Sequence, residues 1–273
     1  MTESIKKGLE GVLVAESSLS YIDGDAGELI YRGYSIDDLA RSTSYEEVLY
    51  LLWYGELPDA DALAEFKHAM AEARELDDSV HRLIEDLAAA DEEPMAATRS
   101  IASALSATDP DATPDTDPTD LDANLRKGRR IPAKLPTALA AFTRRRNGND
   151  PVGPRADLDH AANFLYMLND DEPDEVLADT FDMALVLHAD HGLNASTFAA
   201  MVTASTLSDL HASVTSAIGA LSGSLHGGAN QDVMEMLKEV DGSEKDPLKW
   251  VREAMANDRR IPGFGHRVYN VKD

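Results

Sequence analysis

Across 273 residues the chain carries 50 Asp and Glu against 25 Lys and Arg, a formal net charge of −25 with a pI near 4.5. A surface this acidic repels phosphate backbones and anionic lipid headgroups, which argues against a nucleic-acid binder or a peripheral membrane protein. Any anionic ligand must therefore meet a local cluster of cations. Hydrophobic residues at 43% are enough for a sizeable core, so the acidity is the skin of a globular protein and not a disordered tail.

The excess comes from 31 Asp and 19 Glu set against 16 Arg and only 9 Lys. Many short carboxylates with scarce lysine point to a salt-rich working environment, where a Debye length of about 3 Å at 1 M salt screens the self-repulsion. Cysteine is absent, which excludes disulfides, a thiolate nucleophile and a Cys metal site. The first residues, Met1 to Lys7, lack the apolar stretch of a signal peptide, and no run approaches a membrane span, so the expected location is the cytoplasm.

In chain order, residues 11–34 alternate β-branched or aromatic residues with turns at Asp23-Gly24 and Ala26-Gly27, which predicts two or three short strands. From Ser35 the apolar spacing becomes helical. Ser44 with Glu47 three residues on forms a capping-box pattern for a helix that stops near Gly55, with Pro58 just beyond. Further helices are predicted at about 59–76, 79–90, 95–107 and 121–146. The stretch 108–120, with three prolines and five aspartates, reads as an acidic loop between two helices of one domain. The run Arg126-Lys127-Gly128-Arg129-Arg130 is either an anion site or a helix face paired with carboxylates, the second being favoured. Arg144 to Arg146 sit where cations complement a helix C-terminus. Helices follow at about 157–168, 173–188, 194–207, 209–221, 229–239 and 246–257. No fixed-period repeat is present, so the chain is mainly α and compact, with a short N-terminal β element.

The chemistry concentrates in three histidine segments. The first is Leu187-His188-Ala189-Asp190-His191-Gly192, at the end of one helix with Asn194 or Ser196 as the next cap. The spacing of His188 and His191 permits a metal pair on a helix face, but a pair of pocket-facing junction histidines is favoured. The second is Gly223-Ser224-Leu225-His226-Gly227-Gly228, just before a predicted helix. At such a position the helix dipole disfavours a cationic ring, and a neutral imidazole polarises a carbonyl as a donor. The third is Arg260-Ile261-Pro262-Gly263-Phe264-Gly265-His266-Arg267-Val268-Tyr269, whose Pro-Gly-Phe-Gly makes a tight loop able to lie against a flat group such as adenine.

At these residues the chain resembles the citrate synthase family, in its shorter archaeal and Gram-positive form. The likeness runs from Ile22-Asp23-Gly24 and Leu29 to Tyr34, through Leu51 to Pro58, Ala133 to Pro136 and Asn163 to Leu168, to the three histidine segments. It implies a multi-helix fold with a large domain (residues 1–226, its N-terminal part) and the start of a small domain (227–273), closing over the site in a homodimer. The implied reaction condenses acetyl-CoA with oxaloacetate to citrate and CoA, with 2-methylcitrate synthesis from propionyl-CoA as the alternative. A CoA- and dicarboxylate-binding protein without turnover is a further alternative. The CoA thioester is a substrate, and neither a metal nor another cofactor is implied.

Residue by residue, the resemblance implies that His226 holds the thioester carbonyl and His266 polarises the ketone of oxaloacetate. His191 binds the same substrate, with His188 and Arg267 close by, and Ile261, Pro262, Gly263, Phe264 and Gly265 lie against the CoA adenine. Glu93-Pro94-Met95 stands where the family commonly has His-Pro-Met, and Asn270 where a Lys is usual. The family pattern places the carboxylate that removes the methyl proton beyond Asp273, which leads to the expectation that these residues belong to a longer chain.

Overall fold

The structure is a computed structural model that describes residues 15–223, 226–243, 245–265 and 268–272. Three antiparallel strands open it: β1 (Ser20–Asp23), β2 (Glu28–Tyr31) and β3 (Tyr34–Ser35), in the order β1-β2-β3, with Tyr21 opposite Ile30 and Ile22 opposite Leu29. The β1–β2 turn closes because Asp23 Oδ1 accepts the N–H groups of Asp25 and Ala26, both at 2.9 Å, and Gly27 takes φ +72°.

Helices α1 (Ile36–Ser42), α2 (Tyr45–Tyr54), α3 (Ala60–Glu72), α4 (Asp78–Ala89) and α5 (Pro94–Ala104) follow. The capping box of α2 forms as read, with Ser44 and Glu47 satisfying each other's backbone N–H, and Gly55 ends the helix at φ +90°. A 3-10 turn over Leu105–Thr108 and the acidic loop lead to the long α6 (Leu121–Arg146). Then come α7 (His160–Asn169), α8 (Glu175–Leu187), α9 (Ala195–Ser205), α10 (Leu210–Leu221), α11 (Ala229–Gly242) and α12 (Pro247–Ala256). Much of the aspartate is structural: Asp59, Asp120, Asp174, Asp209 and Asp246 each cap a helix by accepting a first-turn N–H.

Among the described residues, three apolar clusters join the hairpin, α1–α6 and α8. Val80, Ile84, Ile101 and Phe142 join α4, α5 and α6, while Leu49, Phe66, Met70 and Ala133 join α2, α3 and α6. The third positions the site: Leu29, Tyr31, Leu39, Val48, Leu51 and Val186 pack the hairpin, α1 and α2 against α8. Each is a non-directional gain of about 25 cal/mol per Å² of apolar surface removed from water.

The loop 108–120 is tied into the domain, as expected. Arg130 donates to Asp109 and Asp111, Arg126 donates to Asp111, and the buried His211 on α10 contacts Asp109 at 3.1 Å. Arg144, Arg145 and Arg146 at the end of α6 pair with Asp170, Asp150 and Asp91. Among the described residues no helix is long and apolar enough to cross a membrane.

Candidate active site

The helix α8 ends at Leu187 and His188 is its C-cap, so the rings of His188 and His191 do not share a helix face as a metal pair requires. Among the described residues no group of three or more His, Cys, Asp or Glu is arranged to hold a metal ion. The 187–192 turn is fixed instead by Tyr31. This fully buried residue donates its phenol to the Asp190 carbonyl at 2.7 Å and accepts the Asp190 N–H at 3.2 Å. Burial pushes the Tyr31 phenol up to about 12, so it remains a donor throughout the physiological range. Gly192 at φ +66° completes the turn, and Asn194 caps α9 by accepting from Thr197 N–H at 3.0 Å.

His188 Nδ1 lies 2.6 Å from the Ala184 carbonyl, which can only accept, so Nδ1 carries the proton. His191 Nε2 stands 3.3 Å from the hydroxyl of Tyr269, with the two rings edge to face at 5.7 Å between centroids. Both histidines and Tyr269 line a cleft of about 660 Å³ whose other walls include Gly27, Leu29 and Ile36 from the hairpin and α1. Small-molecule sites are commonly about 300–1,000 Å³.

The segment 268–272 reaches this cleft because it docks on the β1–β2 turn. Asn270 N–H donates to the Gly24 carbonyl at 2.8 Å, and Asn270 Nδ2 donates to Asp25 Oδ1 at 2.7 Å. The approach is so close that a Cβ on Gly24 would sit 1.9 Å from the Val268 carbonyl oxygen. Glycine is the one residue that fits there.

His226 stands in the turn between α10 and α11, its backbone N–H bonded to the Gly223 carbonyl at 2.9 Å. Its Nε2 lies 2.7 Å from Ser196 Oγ in the first turn of α9. Gly227 is needed beside it, since a Cβ would come within 2.3 Å of the Leu221 carbonyl oxygen. In the loop Ile261–Gly265, Gly263 and Gly265 take φ +83° and +84°, and Phe264 at the tip is 75% exposed. His266 and Arg267 lie outside the described residues.

The structure therefore brings His188 and His191 into one cleft and connects His226 to the same junction through Ser196. Ser196, Tyr31, Tyr269 and Gly24 are the residues that sequence reasoning missed as parts of this site. Ser196 carried a signal as a helix cap and Gly24 as a turn residue, while Tyr31 and Tyr269 lay in segments that carry the family resemblance.

The chain matches the family described as citrate synthase, C-terminal domain, over residues 8–273. It belongs to the citrate synthase family. Over its whole length it is 63% identical to a citrate synthase of Haloferax volcanii, of which it covers 72%. Among solved structures it is similar to citrate synthase from Pyrobaculum aerophilum, with a TM-score of 0.86 and 42% identity over 96% of this chain and 66% of that one. It is also similar to citrate synthase from Thermoplasma acidophilum, whose structure is a ternary complex with carboxymethyl coenzyme A and oxaloacetate. That match has a TM-score of 0.86 and 30% identity over 100% of this chain and 70% of that one. A 2-methylcitrate synthase of Mycobacterium tuberculosis appears at lower identity, 42%, so citrate synthase is the favoured member of the family.

Proposed function

We propose that this site condenses acetyl-CoA with oxaloacetate, giving citrate and free CoA through an enol and hydrolysis of the citryl thioester. The observation that carries the reading is the junction 188–196. One end of it meets Tyr269 of the third histidine segment through His191, and the other meets the second segment through the Ser196–His226 bond.

In this scheme His226 donates to the thioester carbonyl oxygen, where negative charge develops as a methyl proton leaves. The methyl proton passes to a carboxylate base, as the family pattern has it, and the residues named here supply the donors and the substrate contacts. The enol carbon then forms a bond to the ketone carbon of oxaloacetate, and His266 delivers a proton to the resulting alkoxide. His191, with His188 and Arg267 beside it, holds oxaloacetate, and the loop Ile261–Gly265 presents Phe264 and backbone groups to the CoA adenine. Closure of the unit beginning at 227 over the unit 1–226, in a homodimer, keeps water from the enol until hydrolysis. The acidic surface suits a salt-rich cytoplasm.

The test is CoA thiol release by the protein isolated at its native length, with oxaloacetate and either acetyl-CoA or propionyl-CoA. Oxaloacetate-dependent release from acetyl-CoA is expected, and His226→Gln should lower kcat by about 10²–10⁴-fold. Absence of release overturns the proposal, and a preference for propionyl-CoA replaces it with 2-methylcitrate synthesis.

A further inference from the structure

The cationic run 126–130 does not act as one unit. Arg126 lies 2.6 Å from Asp111, and Arg130 lies 2.6 Å from both Asp109 and Asp111. These two arginines are spent on the acidic loop. Lys127 differs from them: the residue is 2% exposed, and among the described residues it has no carboxylate within 4 Å and no hydrogen bond to its ammonium, which keeps access to the adjoining space. Its side chain lines a cavity of about 380 Å³ enclosed by the acidic loop, the start of α6 and the α9–α10 turn.

The rest of the lining suits an anion. Thr113 and Thr116 share one hydroxyl–hydroxyl bond of 2.9 Å, which leaves one of the two protons free to donate into the cavity. The two carboxylates at the cavity are already engaged. Asp111 holds Arg126 and Arg130, and Asp209 caps α10 by accepting from His211 and Ala212 N–H at 2.8 and 3.1 Å. Asn124 in the first turn of α6 and Asp209, the N-cap of α10, also line this space. An ammonium held at this space with no carboxylate within 4 Å attracts an anion, and the low exposure of the side chain limits screening of that attraction.

We propose that this cavity binds a small oxyanion, a carboxylate or a phosphate, with Lys127 as its counter-ion. None of its lining residues belongs to the histidine junction, so the site is separate from the proposed condensation site.

The experiment follows the thermal unfolding midpoint of the wild type and of Lys127→Met at constant ionic strength, with sodium phosphate in one series and sodium acetate in the other. The wild-type midpoint should rise by about 3–5 °C once the responding anion exceeds its dissociation constant about tenfold. The variant should not respond. In buffer without either anion it should be at least as stable as the wild type, because it removes an unpaired charge. Response to phosphate alone identifies a phosphate or phosphorylated ligand, and response to acetate identifies a carboxylate. The proposal is overturned if neither anion raises the wild-type midpoint, or if Lys127→Met responds equally. Calorimetric titration with the responding anion should give one site per chain, lost in the variant.

Discussion

Replacing Gly24 with alanine probes how the β1–β2 turn holds the segment that carries Tyr269. The new Cβ would lie 1.9 Å from the Val268 carbonyl oxygen and 2.8 Å from its carbon, and both are backbone atoms that cannot rotate aside. Ordinary contact for such atoms is about 3.5 Å, so residues 268–270 must retreat by more than about 1 Å. Overpacking of this kind costs about 1–3 kcal/mol. The retreat also breaks the Asn270–Gly24 bond and loosens Asn270–Asp25, at about 0.5–1.5 kcal/mol each. A short segment held by a few exposed bonds releases locally, so the global midpoint should fall by only a few degrees. The larger effect is kinetic: Tyr269 leaves His191, and a displacement of about 1 Å in a positioned site costs up to about 10²-fold. The assay is KM for oxaloacetate and kcat from CoA thiol release, beside a thermal melt. Gly148→Ala is the control, because its φ of +78° makes the substitution strained while nothing lies within 4 Å of the new Cβ. It should lose stability and keep wild-type kinetics. A Gly24→Ala protein with unchanged KM and midpoint would refute the clasp.

Asp109→Ala removes the carboxylate that meets the buried His211 and leaves Arg130 with Asp111 alone, so it should lower unfolding free energy by about 1–3 kcal/mol in a urea titration; no measurable loss means that the network does not anchor the acidic loop. Ser196→Ala removes one bond to His226 and should lower kcat by about five- to tenfold, the equivalent of about 1 kcal/mol; unchanged kcat would show that the serine does not orient the ring. Burial, followed by the charge of Glu46, raises the Asp182 carboxyl to about 6, so the folded state holds its proton more tightly than the unfolded state. Its contribution therefore grows as pH falls from 7 through 6, and the unfolding free energy of wild type minus Asp182→Asn should increase on that path. A flat difference contradicts this assignment. His160, which burial lowers to about 4, changes stability in the opposite direction below about pH 6.5 and is common to both proteins. Finally, the midpoint should rise between about 0.1 M and about 3 M KCl, and equal midpoints would count against adaptation to salt.

Most of the helices were legible because their signals are local. The Ser44–Glu47 box and the left-handed Gly55 lie within the residues they govern. The ends that differ from expectation are set from a distance. Helix α3 stops at Glu72 and not near 76, and just beyond it Arg74 donates to the carbonyls of Arg155 and Leu158. Helix α7 starts at His160 and not at 157, and the His160 N–H there donates to the carboxylate of buried Glu46, 114 positions away. The site divides in the same way. Its histidines stood out because glycines flank them, whereas Tyr31 meets Asp190 across 159 positions and Tyr269 meets His191 across 78. No local pattern encodes such pairs. In the run 126–130 the favoured pairing with carboxylates holds at Arg126 and Arg130, but that Lys127 stays outside it depends on how α6 rests against its neighbours.

The net charge of −25 conceals two populations of carboxylate that answer differently to salt. Asp59, Asp120, Asp174, Asp209 and Asp246 accept helix N–H groups at short range, a contribution of about 1 kcal/mol each that geometry supplies and screening hardly touches. Others hold exposed arginines such as Arg41 and Arg259, pairs worth about 0–1 kcal/mol that salt weakens. The long-range repulsion of the unpaired excess is what salt removes. Since the caps survive and the pairs lost are weak, the balance of these terms favours the folded state at high ionic strength. The same pairing explains how an acidic chain reaches anions: many of its arginines are held by its own carboxylates, so anion binding falls to cations left without one, of which buried Lys127 is the clearest among the described residues.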